Sequence, residues 1–508
     1  MNRRDFIKFA GMSAGLIYTG AWLSACGGGR GNGVVKNPLY IPSDSGLLGY
    51  LRPSGRFTLT GQTSYHEIFP GKSTRMLTYQ TSVNGKSYIN PIIVLRNGDN
   101  FEVDFKNQLG EKSIIHWHGF RADWKADGHP SYAVADGNTY NYPTIKIIDR
   151  SGTYFYHPHP HGRTGYQVYT GLAGMIIIED TDEDNLRNAL DLQLGVTDIP
   201  LIIQDKTFDA NGQLVYNPRG MNGNMGFWGE QVLVNLTPNP YMDVERRIYR
   251  FRLLNGSNAR PYRLSLLRGS QRMKFWVIGV EGGLLSAPQE VTEVLIAPGE
   301  RIDILVDFRG ANLGDVLRLY SGQHNLVGMQ GGGMGMGRGM SSLINREFEV
   351  LEFRVVKDST YDRQIPDGLS TINPINTTGA KNLSLPLGMS MGTFNIDGQT
   401  WNENDPLADY GYNFNKGDIV KITFTNNTGM YHPMHLHGFQ FQVLSRSSGS
   451  LRATDKGWKD TVIVGPHETV EIAVDMSHSF TQEQVYLLHC HILEHHDAGM
   501  MVNYRVSA

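Results

Sequence analysis

Residues 98–119 read GDNFEVDFKNQLGEKSIIHWHG, and residues 417–438 read GDIVKITFTNNTGMYHPMHLHG. The two stretches stay 319 residues apart throughout: Gly417 against Gly98, Asn426 against Asn107, His435 against His116 and His437 against His118. Each opens on Gly-Asp, alternates apolar with polar residues, reaches an asparagine and closes on His-x-His-Gly. Period-two alternation bounded by Gly, Pro and Asn is the pattern of a half-buried strand in a β-sandwich. A third copy, from Ile248 to Leu254 and Asn255, keeps the alternating strand and the asparagine, but no histidine pair follows it. A second element, Pro298-Gly-Glu300 running to Asp307, matches Pro466-His-Glu468 running to Asp475 at an offset of 168. Such repeats predict an all-β chain of three similar sandwiches, over residues 46–180, 195–357 and 380–508. Asp358 to Lys381 reads as a linker, and Asp180 to Leu194 leaves room for a short helix. Copies one and three carry histidines and copy two does not, so a shared metal site is expected where the first and third sandwiches meet.

Composition agrees with this reading and excludes others. The chain has 508 residues, of which 59 are glycine and 22 proline, which favours short strands joined by turns over long helices. With 46 basic and 49 acidic residues the net charge is −3, so no basic excess points to nucleic acid. The two cysteines, Cys26 and Cys490, cannot form a disulfide scaffold. Arg3-Arg4 before a weakly apolar stretch from Phe9 to Ala25 resembles a twin-arginine signal, the export route for proteins folded around a cofactor. Residues 1–26 are therefore read as a leader and 27–45 as a flexible linker. Leu23-Ser24-Ala25-Cys26 looks like a lipobox. Two readings of it stay open: a lipidated Cys26 held at a membrane surface by acyl chains, or a plain small-residue cleavage site. Either way the expectation is export to the periplasm or to the cell-envelope membrane surface.

Ten of the 17 histidines fall into four clusters. They are His116 and His118, His157 and His159, His432 with His435 and His437, and His489 and His491 with His495. Residues i and i+2 of a strand point to one side, so each His-x-His aims two imidazoles at one place. Neutral imidazole suits copper, zinc, iron or nickel. Cys490 narrows the choice, because it points away from His489 and His491, to a face where His432 and His495 complete a His₂Cys set. Met500, five residues past His495, is placed for a long axial thioether; this is the blue-copper arrangement, whereas zinc favours four strong ligands. The other eight histidines suit three further copper ions. Four coppers store the four electrons that O₂ needs to become two waters.

The four motifs together resemble those of the multicopper oxidases, the family of laccases, bacterial cuprous oxidases and ferroxidases. The resemblance spans essentially all of the mature chain, and it implies three cupredoxin domains with Greek-key β-sandwich folds. It further implies a type 1 copper held by His432, Cys490, His495 and Met500, and a type 2 copper held by His116 and His435. A type 3 pair would take His118, His157, His159, His437, His489 and His491. No other cofactor is expected.

Reduction of O₂ consumes protons, so an acid near the cluster is expected. Asp127 resembles the family's acidic residue near type 2 copper, although an aspartate before Gly128 also reads as an ordinary turn. Many bacterial members carry a glutamate directly after the last type 1 histidine; this chain has His496, followed by Asp497, so His496 or another group must relay protons. His161 is expected outside the ligand set. Met329, Met334, Met336 and Met340 lie in a glycine-rich segment, and Met430 stands two residues before His432. Thioethers prefer Cu(I), and bacterial cuprous oxidases resemble this combination, although the acidic residue that some carry nearby is Thr428 here. A low-complexity loop without a role is the other reading of the glycine-rich segment. Met389 and Met391 could equally be core. The resemblance thus implies an oxidase of Cu(I), with phenols or Fe(II) as further reductants and O₂ as acceptor, serving copper tolerance. A laccase of phenols and aromatic amines is the alternative within the class. A periplasmic copper-binding or storage protein is the alternative outside it.

Overall fold

The computed structural model describes residues 34–218, 225–324, 326–327, 343–344, 346–390 and 392–508. Strands dominate, arranged as three pairs of sheets and one two-stranded sheet, Asn100–Phe101 with Ile145–Lys146. In the first pair, Ile115–His118 is the edge strand beside Gly152–Pro158 in one sheet, and Val103–Gln108 lies beside Phe57–Phe69 in the other. In the last pair, His432–Leu436 lies between Thr461–Val464 and Gln484–Cys490, opposite a sheet that contains Ile419–Asn426. The middle pair is built on Ile248–Asn255 and Arg301–Asp307, antiparallel neighbours in a seven-stranded sheet. The repeated strands of the outer sandwiches alternate as the sequence requires. Ile419–Asn426 buries every second residue, among them Ile422 and Phe424.

The repeated asparagine explains why three copies of one strand share one fold. Asn107 donates through Nδ2 to the carbonyls of Glu111 and Val134, both at 2.8 Å, and accepts from Leu109 N at 3.1 Å. Asn255 does the same with Arg260 O at 2.9 Å, Ile296 O at 3.1 Å and Ser257 N at 3.1 Å. Asn426 does so with Met430 O at 2.7 Å, Gly465 O at 2.8 Å and Thr428 N at 2.9 Å. All three are buried. Each satisfies the backbone of the loop it opens, and in the outer copies that loop delivers the histidines.

Two expectations need correction. Ile248–Asn255 is buried along its whole length, not on one face. Its polar side, Arg250 and Arg252, lies beneath the helix Thr181–Leu190, where Glu183 pairs with both guanidinium groups and Asp198 and Asp303 complete the network. That helix fills the space expected for one between Asp180 and Leu194. The stretch expected as a flexible linker is also tied down at its end: Asn37–Pro38 pairs in parallel with Pro240–Tyr241, and Leu39 is buried in the middle core. An edge strand needs its backbone bonds met, and this short segment meets them. Residues 358–380 hold no helix or strand. Among the described residues no helix is long and apolar enough to cross a membrane. The leader, with Arg3, Arg4 and Cys26, lies outside the described residues.

Candidate metal centres

Cys490 ends the strand Gln484–Cys490 and is fully buried. Its Sγ stands 3.5 Å from His432 Nδ1 and 3.6 Å from His495 Nδ1. His495 sits on the short helix Leu493–Asp497, and the chain then returns so that Cys490 N donates to Met500 O and Met500 N to His495 O. Met500 is thereby held at the site and fully buried. His432 Nε2 donates to Thr428 Oγ1 at 2.9 Å, which leaves Nδ1 as a bare lone pair facing the thiol. Burial pushes the Cys490 thiol up, so a thiolate here requires a cation beside it.

The other eight histidines converge from both outer sandwiches, all of them buried. His116 Nε2 faces His435 Nε2 at 3.3 Å, and His118 Nδ1 faces His157 Nε2 at 3.4 Å. His159 Nε2 and His437 Nε2 both face His489 Nε2, at 3.3 and 3.0 Å. His491 joins the group, its ring centroid 5.0 Å from that of His118 and 5.3 Å from that of His157.

The far nitrogen of each ring decides what these approaches mean. His116 Nδ1 donates to the Asp127 carbonyl at 2.6 Å, and His435 Nδ1 to the Asp460 carbonyl at 2.8 Å. His437 Nδ1 donates to Asp127 Oδ2 at 2.6 Å, and His118 Nε2 to Asp460 Oδ1 at 3.0 Å. His157 and His489 donate through Nδ1 to the carbonyls of Pro158 and Cys490, both at 3.0 Å. With those protons placed, the facing nitrogens of His116 and His435 and of His437 and His489 are lone pair against lone pair, as are those of His118 and His157, an arrangement that repels unless a cation lies between them. Two nitrogens 3.3 Å apart and each about 2.0 Å from one ion subtend about 110°, a normal ligand angle. Burial and neighbouring imidazoles keep the rings neutral, with His489 lowered to about 4 and His157 to about 3. The residues fit a buried, imidazole-rich metal cluster beside a His₂Cys site.

Asp127 lies within the cluster, not in a solvent-facing turn. Burial pushes its carboxyl well up, and its Oδ1 has no hydrogen-bond partner among the described residues. His496 packs its ring 4.6 Å from His159 and 4.9 Å from His489, with Nδ1 3.2 Å from Asp497 Oδ1. His161 stays outside the cluster, 2.9 Å from the exposed Glu403 carboxylate. Met430 is buried, and Met389 is 51% exposed, not core. Met329, Met334, Met336, Met340 and Met391 lie outside the described residues.

Sequence reasoning missed three residues that touch ligands or their partners: Thr428, Asp460 and Arg301. Asp460 performs for His435 and His118 the two tasks that Asp127 performs for His116 and His437. It escaped because it lies 25 residues beyond His435, whereas Asp127 lies 11 beyond His116, so the repeat offset does not find it.

Protein-family models described as multicopper oxidase match residues 66–183 and 380–508, the sandwiches that carry the histidines. The multicopper oxidase mco of Staphylococcus haemolyticus is 31% identical over 455 residues, covering 89% of this chain and 88% of that protein. The crystal structure of the McoA multicopper oxidase of the hyperthermophile Aquifex aeolicus is 63% identical, with a TM-score of 0.86, covering 94% of this chain and all of that one. A cell division protein, FtsP of Xenorhabdus nematophila, is 31% identical over 419 residues, covering 82% of this chain and 83% of its own.

Proposed function

Because the chain belongs to the multicopper oxidase family, and is thus a copper-dependent oxidoreductase with O₂ as acceptor, we propose that its principal reducing substrate is Cu(I). Phenols or Fe(II) serve as secondary reductants in this reading, and copper tolerance is the physiological role. We assign four coppers to the chain: one to His432, Cys490, His495 and Met500, one to His116 and His435, and a pair to the remaining six histidines. When bound, copper supplies one-electron oxidation at the first site and four-electron reduction of O₂ at the cluster.

The chain's own residues hold the rings in the tautomers that ligation needs and exclude bulk water. Asp127 would hold a proton at Oδ1 for O₂ reduction, and His496 would relay one from Asp497, whose carboxylate accepts the N–H groups of Thr164 and Gly165.

One observation carries the Cu(I) assignment. Val327 bridges to Met430, Tyr431 N donates to Leu326 O, and Ile344 is buried in the same core as Met430, Cys490 and Met500. The described residues that flank the methionine-rich segment therefore pack on the third sandwich, Leu326 and Val327 beside Met430 and Tyr431, and thioethers are soft enough to select Cu(I). Turnover of Cu(I), Fe(II) and a phenol, side by side, tests this in a variant lacking 328–340 and in Met430→Leu. Cu(I) kcat/KM should fall about tenfold or more, near 1.4 kcal/mol, while phenol turnover persists. Undiminished Cu(I) oxidation would leave the laccase reading, and copper uptake without O₂ consumption the storage reading. We also propose export by the twin-arginine route to the cell envelope, on the leader motif.

A further inference from the structure

Among the described residues the middle sandwich supplies none of the ligands assigned to the four coppers, yet one of its side chains reaches the cluster. Arg301 is fully buried and places Nη1 2.8 Å from Asp460 Oδ1 and Nη2 2.6 Å from Oδ2. The guanidinium is fixed in turn by the carbonyls of Thr153, in the first sandwich, and Gly299, each at 3.0 Å. One residue of the middle sandwich thus ties together a strand of the first and a loop of the third.

A bidentate fork sets orientation as well as charge. With one guanidinium N–H on each oxygen, the Asp460 carboxylate cannot rotate about its own axis. The remaining acceptor direction of Oδ1 is taken by His118 Nε2 at 3.0 Å and by Thr461 Oγ1 at 2.9 Å. The Asp460 carbonyl, two bonds from the same Cα, accepts from His435 Nδ1. The pair therefore governs one ring in each of two neighbouring ligand sets. It also sets His118 apart within the eight-histidine cluster: of the rings there whose far nitrogen is hydrogen-bonded, this one alone donates through Nε2 and faces its partner through Nδ1. Gly119, which closes the His-x-His-Gly motif, belongs to the same arrangement. A Cβ there would collide with Asp460 Oδ2 and come within 2.8 Å of Arg301 Nη2.

Resting on the copper assignment above, we propose that Arg301 and Asp460 are positioning residues that fix His118 as an Nδ1 ligand, so that the ligand-free middle sandwich determines whether the cluster retains its metal. Asp127 performs the matching pair of tasks on the other side, but no arginine or lysine pairs with its carboxylate among the described residues. The two aspartates are thus matched in hydrogen bonding and divided in role, one clamped and one open.

The test compares the wild-type chain with Arg301→Met, Asp460→Asn and Arg301→Lys, each purified whole and reconstituted with copper. Blue absorption reports the Cys490 site, and total copper per chain less that site reports the cluster. Arg301→Met and Asp460→Asn should keep wild-type blue absorption and lose at least half of the cluster copper. Arg301→Lys, which keeps the charge but not the fork, should recover part of that loss. Full cluster copper in all three variants would overturn the proposal, as would parallel loss of blue absorption, which marks a general folding role. A wild-type chain that holds no copper beyond the Cys490 site would instead break the copper assignment itself.

Discussion

The outer and middle sandwiches share a scaffold and differ in what they mount on it. All three use the same buried asparagine, with the same three hydrogen bonds, to shape the loop after the same strand. In the outer copies that loop leads to histidines held neutral by burial. In the middle copy it leads to Asn258 and Arg260, and the strand before it carries Arg250 and Arg252 under a helix. The difference teaches that one backbone solution can carry different side-chain functions. Among the described residues, two copies carry the histidine clusters, and the third carries buried arginines, one of which fastens its neighbours.

The sharpest break of this comparison is at the outer site. Cys490→Ser should abolish blue absorption and steady-state turnover altogether while the apo-protein unfolds at nearly the wild-type denaturant concentration; persistent colour would refute the type 1 assignment. The next largest effect belongs to the middle copy. Arg252→Met removes the guanidinium hydrogen bonds of Asp198 and one of those of Glu183 in the interior, and should cost about 3–5 kcal/mol of unfolding free energy with the copper spectrum unchanged. A spectral change as large as the stability change would show that ligands and charges are not divided between the copies. The smallest effect separates shared scaffold from separate function: Asn255→Ala and Asn426→Ala should each cost about 1–3 kcal/mol, by stranding buried backbone groups. Only Asn426→Ala, whose partner Thr428 orients His432, should shift the blue absorption band.

What was legible in the sequence follows from the same division. Ligation demands particular residue types, and a strand sets them two apart, so the histidine clusters and Cys490 could be read from spacing alone. The alternating strands could be read because one face of Ile419–Asn426 meets a core and the other does not. Ile248–Asn255 has the same alternation but is buried throughout, because an arginine in a pattern says nothing about whether a glutamate will arrive from a distant helix. Asp460 and Arg301 were illegible for a related reason: their roles come from three sandwiches meeting, at separations no local pattern encodes. Thr428 looked like a departure from an acidic pattern, and only its 2.9 Å bond to His432 gives it a role. The anchoring of Asn37–Pro38 was hidden by the glycine-rich stretch that precedes it in the sequence, whose composition suggests a tether.

Gly299 lies beside Arg301, and a Cβ placed on it would stand 2.8 Å from the His491 ring. The middle sandwich therefore meets a ring of the cage with no more clearance than a hydrogen atom leaves. A side chain at position 299 would have to displace that imidazole, so the middle sandwich bounds the cage on this side.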